Sequence, residues 1–82
     1  MKITLKLFAG FADYLPPDAD GNAVTIDASA PLTPRQLINR YRLPPEQVRV
    51  VMRNGEFVPA EALDAPLGDG DVVAVWPSVQ GG

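Results

Sequence analysis

Thr33-Pro34-Arg35-Gln36-Leu37-Ile38-Asn39-Arg40-Tyr41-Arg42-Leu43-Pro44-Pro45 is where the chain carries a complete set of helix signals. Thr33 offers a hydroxyl to cap exposed backbone N–H groups, and Pro34 suits the first helical position because its missing N–H is not needed there. Gln36, third into the run, completes a capping box with Thr33. Leu37, Ile38 and Tyr41 recur at helical spacing on one side, Arg35, Asn39, Arg40 and Arg42 take the other, and Pro44-Pro45 stops the helix. The sequence therefore predicts one short amphipathic helix beginning near Pro34.

Around that helix the periodicity changes from helical to alternating. Lys2 to Phe8 places Ile3, Leu5 and Leu7 on one face and Lys2, Thr4, Lys6 and Phe8 on the other, the pattern of a half-buried strand. Gly10 to Leu15 could make one helical turn, but Pro16-Pro17 and Asp18-Ala19-Asp20-Gly21-Asn22 favour loop. Ala23 to Ala28 alternates again through Val24 and Ile26 and should return antiparallel to the first strand. After the helix, Val48, Val50 and Met52 alternate with Arg49 and Arg53. Asn54-Gly55, the strongest short hairpin signal, then leads into Glu56-Phe57-Val58. Leu67-Gly68-Asp69-Gly70-Asp71 is a tight turn before a last strand, Val72 to Trp76.

One helix can cover one sheet face, so the economical packing is an α+β domain with a mixed sheet of about five strands wrapped on one main helix. The first and last strands are expected side by side in the middle. This is the β-grasp plan. Residues 1–76 form the expected body, and residues 77–82 an extended, flexible C-terminal Gly-Gly tail.

Composition narrows the chemistry. Eighty-two residues suit a single domain with a modest core. Histidine and cysteine are absent, which removes the commonest general base together with thiol nucleophiles and zinc-thiolate sites. No catalytic residue and no metal site is assigned, since Asp69 and Asp71 are explained by turn chemistry and a metal would need more oxygen ligands. The net charge of −3 with scattered basic residues argues against nucleic acid. No apolar run approaches the length of a membrane helix, and no leader-like segment precedes the first strand, so a cytoplasmic protein is expected.

The last residues are Trp76-Pro77-Ser78-Val79-Gln80-Gly81-Gly82. A frayed terminus is the plain explanation of such a segment. Two glycines also suit a narrow slot, because they lack a Cβ and allow a partner's walls to close on the backbone. The carboxylate at Gly82 is ionised at neutral pH and a poor electrophile. Adenylation with ATP would make it a mixed anhydride open to attack by a persulfide sulfur, giving a thiocarboxylate.

Several features together resemble the MoaD/ThiS family of ubiquitin-like sulfur carriers. They are the strand order, the capped helix, Asn54-Gly55-Glu56-Phe57-Val58-Pro59, the Leu67-Gly68-Asp69-Gly70-Asp71-Val72-Val73 turn and strand, and the ending Pro77-Ser78-Val79-Gln80-Gly81-Gly82. The resemblance implies a carrier without catalysis of its own. Gly82 would be adenylated by a ubiquitin-activating-type enzyme that uses ATP, and the carrier would bind no cofactor itself. Pro77, Ser78, Val79, Gln80 and Gly81 would thread into that enzyme and then into a sulfur-acceptor synthase.

Length and Phe8-Ala9 after the first strand favour the small subunit of a molybdopterin synthase, acting with its large subunit. Asn54 to Pro59 and Val79 to Gly82 look more like the carrier that serves thiazole synthase in thiamine formation. A protein modifier joined to lysines through Gly82 is the further alternative.

Phe8 and Trp76 are out of phase with the core positions of their strands, which puts both on the sheet face away from the helix. They either stabilise the sheet across neighbouring strands or form a partner-docking patch, and the patch is the expectation taken forward. Phe57 is a further candidate for the patch, its face depending on whether the Asn54-Gly55 hairpin is a plain two-residue turn or contains a bulge.

Overall fold

Thr33 opens the helix as its side chain predicts. In the computed structural model, which describes residues 1–78, the Thr33 hydroxyl accepts from the Gln36 backbone N–H at 3.1 Å. The Gln36 side-chain carbonyl accepts from the Thr33 N–H at 2.9 Å. The resulting helix α1 spans Pro34–Arg40. Its exit was not evident from the pattern. Arg42 lies past the helix rather than on its wet face, in left-handed backbone at φ +59°. There its N–H donates to the Asn39 carbonyl, and the Leu43 N–H reaches back to Ile38. Those two bonds satisfy carbonyls the helix leaves unpaired and turn Leu43 into the core, where it is buried.

Five strands follow the alternating segments: β1 (Lys2–Leu7), β2 (Ala23–Asp27), β3 (Val48–Arg53), β4 (Glu56–Phe57) and β5 (Val72–Pro77). They form one sheet in the order β2-β1-β5-β3-β4. The outer pairings are antiparallel, and β1 and β5 run parallel in the centre with Leu5 opposite Val73 and Leu7 opposite Val75. Ile3, Leu5, Leu7, Val73 and Val75 are almost wholly removed from solvent against Leu37 and Ile38 of α1. Each such side chain is worth about 1.5–3 kcal/mol when buried.

Three differences from the sequence pattern matter for the site. Strand β3 contains a bulge: Val48 opposes Pro77 while Val50 opposes Trp76, so two steps on β3 match one on β5. The extra residue reverses the facing. Val48 packs against the core and Val51 is buried within it, whereas Val50 and Met52, which alternation groups with Val48, turn to the opposite face.

The second difference lies in Ala9–Tyr14, which forms a 3-10 helix rather than a plain loop. Its buried Phe11 closes one end of the core, with Tyr14 edge-on at 6.0 Å. Finally, β5 continues through Pro77, one residue beyond the expected body. Among the described residues, no helix is long and apolar enough to cross a membrane.

Candidate functional site

Strand alternation places Phe8, Trp76 and Val50 in one row on the sheet face opposite α1, and Lys6, Ala74, Met52 and Phe57 in the next. Phe8 extends past β1, its N–H donating to the Val75 carbonyl at 3.2 Å. The two aromatic rings stack, with centroids 4.6 Å apart and planes 6° from parallel. Beside them, Arg49, Val50, Met52, Trp76 and Pro77 line a shallow depression of about 350 Å³.

Phe57 belongs to this face. The hairpin is a plain two-residue turn, with Asn54 at φ +52° and Gly55 at φ +84°, the signature of a type I′ connection. Phe57 consequently pairs directly with Met52 and remains 61% exposed, high for a phenylalanine. Val50 and Met52 were missed as members of the patch because the bulge that turns them outward has no signal in an alternating run.

The patch is rimmed by positive charge. Among the described residues neither Lys6 nor Arg49 makes an ion pair, whereas Arg35 bonds Asp64 at 2.7 Å and Arg53 bonds Asp71 at 2.8 Å.

Pro77 and Ser78, the last of the described residues, are held at the same end of the sheet. Pro77 pairs with Val48, and the Ser78 N–H donates to the Gln47 carbonyl at 2.8 Å. Ser78 is exposed. Next to it, Ala9, Gly10, Tyr14 and Gln47 border a groove of about 610 Å³. The expectations for Val79, Gln80, Gly81 and Gly82 lie outside the described residues.

The opposite end of β5 is fastened by Asp71. One of its carboxylate oxygens accepts from the Gly68 N–H at 2.8 Å and from Arg53, and the other accepts from the Asn54 side chain at 2.9 Å. The Asn54 side-chain oxygen accepts from the Val72 N–H at 2.9 Å. These hydrogen bonds hold the Asp71 carboxyl below the usual carboxylate range, the Gly68 N–H contributing most and the Asn54 amide next, while burial opposes them and Arg53 assists. Asp69 accepts from the Lys2 N–H at 2.6 Å. Among the described residues no group of three His, Cys, Asp or Glu is placed to hold a metal ion.

The sequence model of the ThiS family matches residues 11–82. The chain belongs to the ThiS family. Membership places it among the ubiquitin-like sulfur carriers of the MoaD/ThiS type, small proteins that generally do no catalysis themselves.

Solved structures agree on the β-grasp fold. SAMP1 from Haloferax volcanii is similar with a TM-score of 0.67 at 24% identity, over 100% of both chains. A candidate molybdopterin converting factor subunit 1 from Pyrococcus furiosus gives 0.66 at 26% identity, over 95% of this chain and 98% of that one. A chain from the complex of subunits 1 and 2 of the molybdopterin-converting factor of Helicobacter pylori 26695 gives 0.61 at 19% identity, over 100% of both. No curated protein sequence matches at a significant level.

Proposed function

We propose that this sulfur carrier works through the Gly82 carboxyl in molybdopterin formation. In the first step the carboxylate attacks ATP in a ubiquitin-activating-type enzyme, releasing pyrophosphate and leaving an acyl adenylate. A persulfide sulfur then displaces AMP, and a thiol reduces the acyl disulfide to the thiocarboxylate. The sulfur is passed to a precursor in an acceptor synthase. ATP belongs to the activating partner, and the carrier binds no cofactor of its own.

The observation that carries this proposal is the family match, which extends through Gly81-Gly82. The molybdopterin branch is supported by the chain's length, by Phe8-Ala9 after β1, and by the likeness to the Pyrococcus furiosus protein over nearly all of both chains. The Helicobacter pylori complex supports a synthase large subunit as partner. Thiazole synthase is the alternative acceptor, favoured by the Asn54 to Pro59 segment and the Val79 to Gly82 ending. We assign docking to the face bearing Phe8, Trp76 and Phe57, extended by Val50 and Met52, with the residues after Pro77, through Gly81, entering the partner's active site.

Intact mass spectrometry after incubation with ATP, an activating enzyme and a persulfide donor tests the chemistry. The expected product gains the mass of one oxygen replaced by sulfur, and the gain disappears when Gly82 is deleted. No gain with activating enzymes of either pathway rejects the carrier role. Covalent conjugates to lysines with no thiocarboxylate would instead indicate a protein modifier.

A further inference from the structure

The Asn54-Gly55 turn sits in an exposed hairpin, and asparagine before glycine is the sequence most open to intramolecular attack on the side-chain amide. Glycine has no side chain to hinder the approach of its nitrogen. The reaction requires the Asn54 Cγ to turn onto the Gly55 nitrogen, and the fold ties its amide to other partners. Asn54 Nδ2 donates to Asp71 Oδ1 at 2.9 Å, while Asn54 Oδ1 accepts from the Val72 N–H at 2.9 Å. The Asn54 backbone N–H adds a third bond, to the Val72 carbonyl at 2.8 Å. Both ends of the amide are therefore tied to the start of β5, and the left-handed backbone at φ +52° fixes the base from which the side chain projects.

We infer that Asn54 is a latent deamidation site, silent while this clasp is closed and reactive only when the β3–β4 end of the sheet opens. On opening, the Gly55 nitrogen loses its proton and bonds to Asn54 Cγ. The Cγ–Nδ2 bond breaks, ammonia leaves, and a cyclic imide remains. Water then opens either carbonyl, giving aspartate or isoaspartate, for a net exchange of one ammonia for one water. The product cannot restore the clasp. A carboxylate replaces the donor facing Asp71, so two negative charges meet where a hydrogen bond stood, and the isoaspartate form adds a methylene to the turn. Modification would convert transient opening into permanent loosening of the end of β5 remote from the tail.

The test follows deamidation of the full chain at mildly alkaline pH by peptide mapping that separates aspartate from isoaspartate. It is run in native buffer and in denaturing urea, with hydrogen exchange at the Asn54 amide measured in parallel. The expected result is native deamidation slower than unfolded by at least about tenfold, with protection following that of the Asn54 N–H, as local opening requires. Asp71→Ala should accelerate native deamidation, while Arg35→Ala, remote from the clasp, should not. Equal rates in native and denatured protein overturn the inference. So does native reaction far faster than exchange allows, which would show attack without opening.

Discussion

Phe8 and Trp76 stack face to face across the central parallel strands, at 4.6 Å between centroids. The contact joins the residue after β1 to the residue that leads into the tail root. Phe8→Ala should cost about 0.5–1.5 kcal/mol beyond lost area, read from the urea midpoint, and should shift Trp76 fluorescence. If the face docks a partner, Trp76→Ala should weaken binding to the activating enzyme or synthase by about 2 kcal/mol or more. Unchanged affinity by calorimetry would leave the stack a purely structural contact.

Lys6 and Arg49 border that face without an internal acid among the described residues. Lys6→Glu and Arg49→Glu should lower the association rate with a partner by about tenfold at low salt, with little change in dissociation. Stopped-flow measurements at two salt concentrations check it, since raising the salt should shrink the difference.

The helix end offers a gain in stability. Arg42 occupies a left-handed position at φ +59° that glycine fills without a Cβ clash. Arg42→Gly should stabilise the fold by about 0.5–1 kcal/mol, net of the extra freedom glycine has in the unfolded chain. At the other end, Thr33→Ala should lose about 1 kcal/mol with the capping box. Thermal unfolding should move in opposite directions for the two variants.

Asp71 sets an acid limit. Its carboxyl titrates below the ordinary value when folded, so the ionised form contributes stability above the unfolded value of about 3.9, and the contribution is lost as pH falls through the folded pKa. Stability of the wild type should therefore fall on acidification below about pH 4, and Asp71→Asn should be less stable near neutrality with a flatter acid limb. Urea midpoints across that window decide it; identical slopes would remove Asp71 from the acid response.

Much of the fold was legible because periodicity and punctuation coincided. Thr33, Pro34 and Gln36 name the helix start from local chemistry alone, and Ile3, Leu5 and Leu7 state their face by alternation. Phe8 and Trp76 were placed on the outer face by the same counting, and their stacking follows from the parallel neighbours β1 and β5. What escaped depends on tertiary contacts. Alternation groups Val50 and Met52 with Val48, because the bulge in β3 that separates them is set by pairing with β5, not by local composition. The face of Phe57 stayed open until turn geometry fixed it. The Asn54–Asp71 clasp joins residues 17 apart in sequence, and no short motif announces it.

The order of strands also dictates when the body can form. Strand β5 is the last of the five in the chain, yet it fills the middle of the sheet between β1 and β3. A nascent chain still lacking β5 has two separate hairpins, β1–β2 and β3–β4, and an isolated two-stranded hairpin is at best marginally stable in water. Assembly must therefore wait until translation has delivered residues 72–77. A product truncated before β5 should therefore behave as an unfolded polypeptide rather than compete with the intact protein for its partners.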